Sequence, residues 1–98
     1  MNWQAVALND NDNVALVLKA VESGERIMVS RPGGLIELIA TEAVPFCHKI
    51  ALADIETGQA VLRYGEAIGV ARSAIGEGCV VHTHNLVSRR AQQKRPAP

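Results

Sequence analysis

One spacing recurs along this chain and constrains it more than any other feature. An apolar residue is followed three places later by glycine and three places after that by a second apolar residue. The pattern occurs at Val21/Gly24/Ile27, Ile55/Gly58/Val61 and Ile75/Gly78/Val81. Glycine adopts positive φ without a steric penalty, so each copy predicts a tight reversal feeding a new apolar segment. The segments between the reversals are short and β-prone: Trp3 to Leu8, Arg26 to Val29, Leu35 to Ala40, Ala60 to Arg63, Ala67 to Ala71 and Val80 to His84. Short strands joined by glycine-centred turns predict a compact, mostly-β, barrel-like unit. The copies begin at 21, 55 and 75, too unevenly for a solenoid.

One segment reads differently. The polar run Asn9-Asp10-Asn11-Asp12-Asn13 precedes Val14-Ala15-Leu16-Val17-Leu18-Lys19-Ala20-Val21, with Gly24 beyond it. Asn and Asp suit helix N-caps and Gly suits the residue after a helix, so one short helix is expected over 13–22. Its apolar residues lie nearly all round, which implies substantial burial. The block 87–98 has no apolar period and two prolines, and is expected to be a flexible basic tail after a domain spanning 1–86.

Charge supports that division. Ten Lys+Arg balance ten Asp+Glu, yet all the acids fall within 1–86, while Arg89, Arg90, Lys94 and Arg95 stand in the tail without an acid. The chain is thus a mildly acidic body with a basic tether. Four bases on a flexible segment give only weak, salt-sensitive contact with nucleic acid, so no specific nucleic-acid partner is expected. No apolar run approaches the roughly 18–20 residues of a membrane span. The N-terminus lacks the basic and apolar regions of a signal peptide. Two cysteines are too few for a disulfide-stapled scaffold, and a reduced, cytoplasmic protein is expected.

All three histidines and both cysteines fall in two short segments, Phe46-Cys47-His48-Lys49 and Cys79-Val80-Val81-His82-Thr83-His84-Asn85. If 80–84 is a strand, His82 and His84 project from one face, where they could share a metal ion or act as acid and binder on one substrate. A solvated surface pair is the plainer reading. Cys79-x-x-His82 has zinc-ligand spacing that Cys47-His48 could complete, although cysteines in such positions more often act as small buried hydrophobes. Lys49 could hold a carboxylate or simply be a solvated lysine on an edge strand. Tyr64-Gly65-Glu66 and Arg31-Pro32-Gly33-Gly34 read as turns, the second lacking the spacing of a phosphate loop. No Ser/His/Asp triad is visible, and a chain this small has few walls for a pocket. The residues therefore point to half of a site, with the other half on another chain.

Three stretches taken together resemble one family. His48-Lys49-Ile50-Ala51-Leu52-Ala53-Asp54-Ile55 with Gly58, then Tyr64-Gly65-Glu66-Ala67-Ile68-Gly69, then Val81-His82-Thr83-His84-Asn85-Leu86 are similar to the N-terminal SAF-type domain of altronate and galactarate dehydratases. The same module forms the small, alpha-type subunit of sulfolactate sulfo-lyase and related sugar-acid lyases. Asp12-Asn13-Val14-Ala15 matches the family's opening, and the resemblance covers roughly residues 9–86. One departure is visible: Cys47 stands where the family usually has glycine. A Cβ disfavours positive φ, so the turn before His48 is expected to differ.

The resemblance implies a β-clip fold and a metal-dependent β-elimination of water or sulfite from a hydroxy acid or sugar acid. It implies a small subunit, inactive alone, whose large catalytic lyase partner carries most of the substrate pocket. His82 and His84 would be catalytic groups or metal ligands, with His48, Lys49 and Asn85 near the substrate carboxylate. Neutral imidazoles suit divalent iron, manganese or zinc better than calcium, and iron(II) or manganese(II) is expected ahead of zinc. A homo-oligomer in isolation is compatible with this reading. The alternative is a non-catalytic ligand-binding or positioning module docked on a larger partner.

Overall fold

The computed structural model describes residues 2–88, which form nine strands and no helix. In chain order these are β1 (Ala5–Val6), β2 (Val14–Val17), β3 (Arg26–Ser30), β4 (Ile36–Ile39), β5 (Lys49–Ala51), β6 (Ala60–Arg63), β7 (Glu66–Ala71), β8 (Val80–Val81) and β9 (Leu86–Ser88). Six strands make one sheet in the order β4-β3-β1-β2-β5-β8, and three make a second in the order β6-β7-β9. Every pairing is antiparallel except β1 with β3.

The helix expected over 13–22 is absent; its first half is β2. That strand pairs with β1 on one side and β5 on the other. Ala15 and Val17 enter one core cluster, with Ile27, Val29, Leu38, Val44 and Ile50, whereas Val14 enters a second, with Ala51, Ile55, Val61, Ala71, Ile75 and Val81. A strand buried on both faces has no polar side, and so its residues read as apolar all round, as a buried helix would. The β-branched valines then favour the strand. The polar run before it caps a hairpin rather than a helix. Asp12 is buried, and its two carboxylate oxygens accept the backbone N–H groups of Tyr64 and Gly65 at 2.8 and 2.7 Å. The Asn13 amide donates to the Ala60 carbonyl and accepts from Leu62 N–H. The β6–β7 hairpin turn, with Tyr64 and Gly65 both at positive φ, is thereby tied to the start of β2.

The glycine-centred turns are present, and they number four. At each, an apolar bridge residue leads into a turn closed from its first carbonyl to its fourth N–H: Glu22 to Glu25, Pro45 to His48, Glu56 to Gln59, and Gly76 to Cys79. The third position has φ of 85° at Gly24, 83° at Gly58, 85° at Gly78 and 67° at Cys47. The expectation that Cys47 would alter its turn is therefore overturned. Cys47 adopts the left-handed conformation because its N–H donates to Val17 O and the next N–H, of His48, to Pro45 O. One bond to a distant strand and one within the turn over-determine a backbone that the Cβ alone disfavours.

The four turns work in pairs. Val21 and Val44 exchange both backbone hydrogen bonds across the base of the β3–β4 hairpin, and Ile55 and Ile75 do the same for β6–β7. Each hairpin is thus clipped shut at its open end, which accounts for the uneven spacing of the copies in sequence: 21 and 55 open hairpins, whereas 44 and 75 close them. At the C-terminal end β9 takes Val87 and Ser88 into the second sheet. Residues 89–98, with the four basic side chains of the expected tail, lie outside the described residues.

Candidate functional site

Strand register, rather than sequence spacing, assembles the histidines. β5 and β8 pair with Lys49 opposite Val81 and Ile50 opposite Val80. One place further out along the same ladder, His48 faces His82. Their ring centroids lie 4.3 Å apart with planes inclined by 39°. His48 is half-buried and His82 exposed, so the pair sits at the open end of the sheet. His48 Nδ1 lies 3.2 Å from the Phe46 carbonyl oxygen. A carbonyl only accepts, so in the neutral ring this contact assigns the proton to Nδ1 and leaves Nε2 free.

His82 and His84 are not assembled as expected. β8 stops at Val81, and 82–85 form a turn in which Asn85 N–H and Leu86 N–H both donate to the His82 carbonyl. Strand alternation thus fails at the point where it would have aligned the two imidazoles, and His84 stands exposed on the turn. Asn85, expected near a substrate carboxylate, is 7% exposed. Its side-chain oxygen accepts from His82 N–H at 2.9 Å and its amide donates to Val80 O at 2.8 Å. Its polar groups thus hold the turn that presents His82.

Lys49 follows His48 in the chain but leaves the sheet on the opposite side by strand alternation. Partial burial, and next the positive charge of Arg63, hold its ammonium below the usual lysine value, with Tyr64 opposing. Arg63 lies 4.4 Å over the Tyr64 ring and donates from Nη2 to the Tyr64 hydroxyl at 2.9 Å. Arg63 is not conspicuous in sequence, because β6 is tied to the start of β2 by the side chains of Asn13 and Asp12, far away in the chain.

A divalent ion finds no complete ligand set here. Among the described residues no three His, Cys, Asp or Glu side chains come together in a way that could hold one. Cys47 is exposed, while Cys79 Sγ lies 3.1 Å from Thr41 Oγ1. The two imidazoles of His48 and His82 are what the chain itself can offer. A separate cleft of about 220 Å³ is lined by Trp3, Gln4, Leu18 and Lys19 and includes none of these groups.

Two clipped hairpins, a two-sided sheet without helices among the described residues and a histidine pair on an open ladder end make up a small all-β module consistent with a β-clip fold. The chain belongs to the altronate/galactarate dehydratase SAF domain family, whose model matches residues 3–89. It is 41% identical over 73 residues to galactarate dehydratase (L-threo-forming) of Escherichia coli, covering 74% of this chain and 13% of that protein. It is 34% identical over 80 residues to altronate dehydratase of Bacillus subtilis, covering 82% and 15% respectively. It is 29% identical over 77 residues to the alpha subunit of (2R)-sulfolactate sulfo-lyase of Chromohalobacter salexigens, covering 76% of this chain and 82% of that subunit. The match thus takes in a small part of each dehydratase but most of the sulfo-lyase subunit.

Proposed function

We propose that this chain is the small subunit of a two-part lyase that eliminates water or sulfite from a hydroxy acid or sugar acid. In this reading it contributes the His48–His82 pair to a site completed by a large catalytic subunit. The observation that carries this is the stacking of two imidazoles at the open end of the β5–β8 ladder, inside the segment that the family model matches. Loss of a β-leaving group needs a base for the proton α to the carboxylate and an acid for the departing oxygen or sulfur. Two imidazoles side by side can take both roles, since the ring nitrogen both accepts and donates a proton. The free Nε2 of His48 accepts or delivers the proton, and His82 shares the resulting charge. Phe46 is 60% exposed on the turn beside the pair and offers an apolar foothold for the large subunit. Any divalent ion would take its remaining ligands from that subunit, and the pairing of parts would take place in the cytoplasm.

Reconstitution tests the reading. Lyase activity of the large subunit should depend on this chain, and His48→Gln with His82→Gln should lower it by about 10²-fold or more without loss of assembly. Full activity in the double variant would refute the role of the pair. Binding of sugar acids by this chain with no lyase activity in any pairing would favour the non-catalytic module instead.

A further inference from the structure

Of the five large apolar side chains exposed among the described residues, three stand on turns that the polar run 9–13 ties together: Leu8, Leu35 and Tyr64. Ala7 N–H donates to the Ser30 carbonyl and Gly33 N–H to Asp10 Oδ1, so the segment carrying Leu8 lies along the turn that leads into Leu35. The same segment lies against the β6–β7 turn. Asp12 holds Tyr64 and Gly65, and a Cβ on Gly65 would stand 2.7 Å from Asn9 Nδ2. Leu8 follows β1 and Leu35 precedes β4, whereas His48 precedes β5 and His82 follows β8. The strand directions therefore put these turns at the end of the six-stranded sheet opposite the histidine pair.

Two arginines stand on the same turns. Arg31 opens the turn before Leu35, and Arg63 precedes Tyr64. Among the described residues, Arg31 Nε and Arg63 Nε are the two side-chain polar atoms shut off from solvent without a hydrogen-bond partner. Neither arginine takes part in the ion pairs of those residues, which join Lys19 to Glu25 and Arg26 to Glu37. Asp12 is taken up by the hairpin backbone, and Asp10 and Glu66, at the same end, pair with neither. Each guanidinium has thus lost water along one edge without compensation, and a carboxylate at its outer edge would be held by charge-assisted hydrogen bonds. Tyr64 is left-handed at φ 57°, uncommon for so bulky a residue, and Arg63 braces its ring and hydroxyl. Strain and bracing together fix an aromatic side chain in an exposed position.

We infer that this end is a docking face for the large lyase subunit, with Leu8, Leu35 and Tyr64 as apolar anchors and Arg31 and Arg63 as cations that take its carboxylates. The face rests on the lyase reading above for the existence of that partner. Tyr and Arg are the side chains that most often carry binding energy between proteins, and here both are preorganised. Side chains standing out on three turns meet a surface; they do not enclose a small acid, and the cleft of about 220 Å³ is lined by other residues. A two-fold contact between copies of this chain would set the unpaired arginines against the same cationic face. Docking at this end leaves the histidines open toward substrate at the other.

Sedimentation of the full 98-residue chain mixed with the large subunit tests this, because it reads assembly without turnover. Leu8→Ser with Leu35→Ser, both at exposed positions, should weaken assembly about tenfold or more with an unchanged unfolding midpoint. Arg31→Gln with Arg63→Gln should weaken it similarly and remove most of its salt dependence. Assembly within twofold of the parent in both double variants would overturn the face. So would a parent chain that does not bind the large subunit, or self-association of this chain that Leu8→Ser with Leu35→Ser abolishes, since the occupant would then be a second copy. The two readings fail separately. Weakened assembly beside a fully active histidine double variant leaves the face standing without the catalytic role, and unaltered assembly beside an inactive histidine variant does the reverse.

Discussion

Replacing Cys47 with glycine should stabilise this protein although it removes a side chain. Cys47 occupies the one reversal of four whose left-handed residue is not glycine, at φ 67°. A Cβ in that conformation costs about 1–2 kcal/mol. The side chain is exposed, so its removal sacrifices little burial. Against the gain, glycine enlarges the conformational freedom of the unfolded chain and gives back about 0.4–1 kcal/mol. The difference leaves Cys47→Gly more stable by roughly 0.5–1 kcal/mol. For a domain of this size that is a rise in Tm of a few degrees, at about 4–8 °C per kcal/mol. The mirror experiment is Gly58→Ala, where φ is 83° and an added Cβ meets nothing within 4 Å. Conformation is then the one variable, and a loss of about 0.5–1 kcal/mol is expected. Urea unfolding of both variants and of Cys47→Ala, which keeps the Cβ and should be near neutral, measures the series. A Cys47→Gly variant no more stable than Cys47→Ala would show that the turn is unstrained and that the four reversals are not equivalent.

Other outcomes follow from the same contacts. Asp12→Ala should cost about 2–4 kcal/mol, because it leaves the backbone N–H groups of Tyr64 and Gly65 without the carboxylate to which they donate; thermal unfolding measures it. Asn85→Ala should cost about 2–3 kcal/mol and separate the rings of His48 and His82, visible as loss of ring-current shifts in their proton spectra. Gly69→Ala puts a Cβ 2.1 Å from the Val87 carbonyl oxygen, so β9 should detach and cleavage near Val87 by a dilute protease should accelerate. Lys49 has a folded value below its usual 10.5, so the native state binds fewer protons than the unfolded chain in that window. Stability should therefore rise with pH from the depressed value up to 10.5, and the rise should vanish in Lys49→Met; urea midpoints across that range show it.

Much of the local architecture is legible in the residues. Gly24, Gly58 and Gly78 mark reversals, and β-prone runs between them become strands β3, β4, β6 and β7 at nearly the expected places. The family stretches also anticipate which segments meet, since His48 and His82 both belong to them. The errors share one cause. Val14 to Val17 carries the same all-round apolar character whether it is a buried helix or a strand between two cores, and only the presence of β1 and β5 on its flanks decides. Aligning His84 with His82 needs strand alternation, yet Asn85 folds back on Val80 and the strand ends at Val81, three residues short of the expected His84.

The amino-acid sequence by itself determined where the chain can turn and which segments are apolar enough to be buried, because both depend on local sterics and on side-chain hydrophobicity. Tertiary structure alone decided the pairing. His48 meets His82, Asp12 takes up the turn at Tyr64 and Gly65, and Cys47 is held in a glycine conformation with the help of a hydrogen bond to distant Val17. Register along a ladder is a cooperative choice made by all the strands of a sheet at once, and a shift of one residue would exchange the two faces. No single segment carries that information, so the site becomes visible only when the ladder is complete.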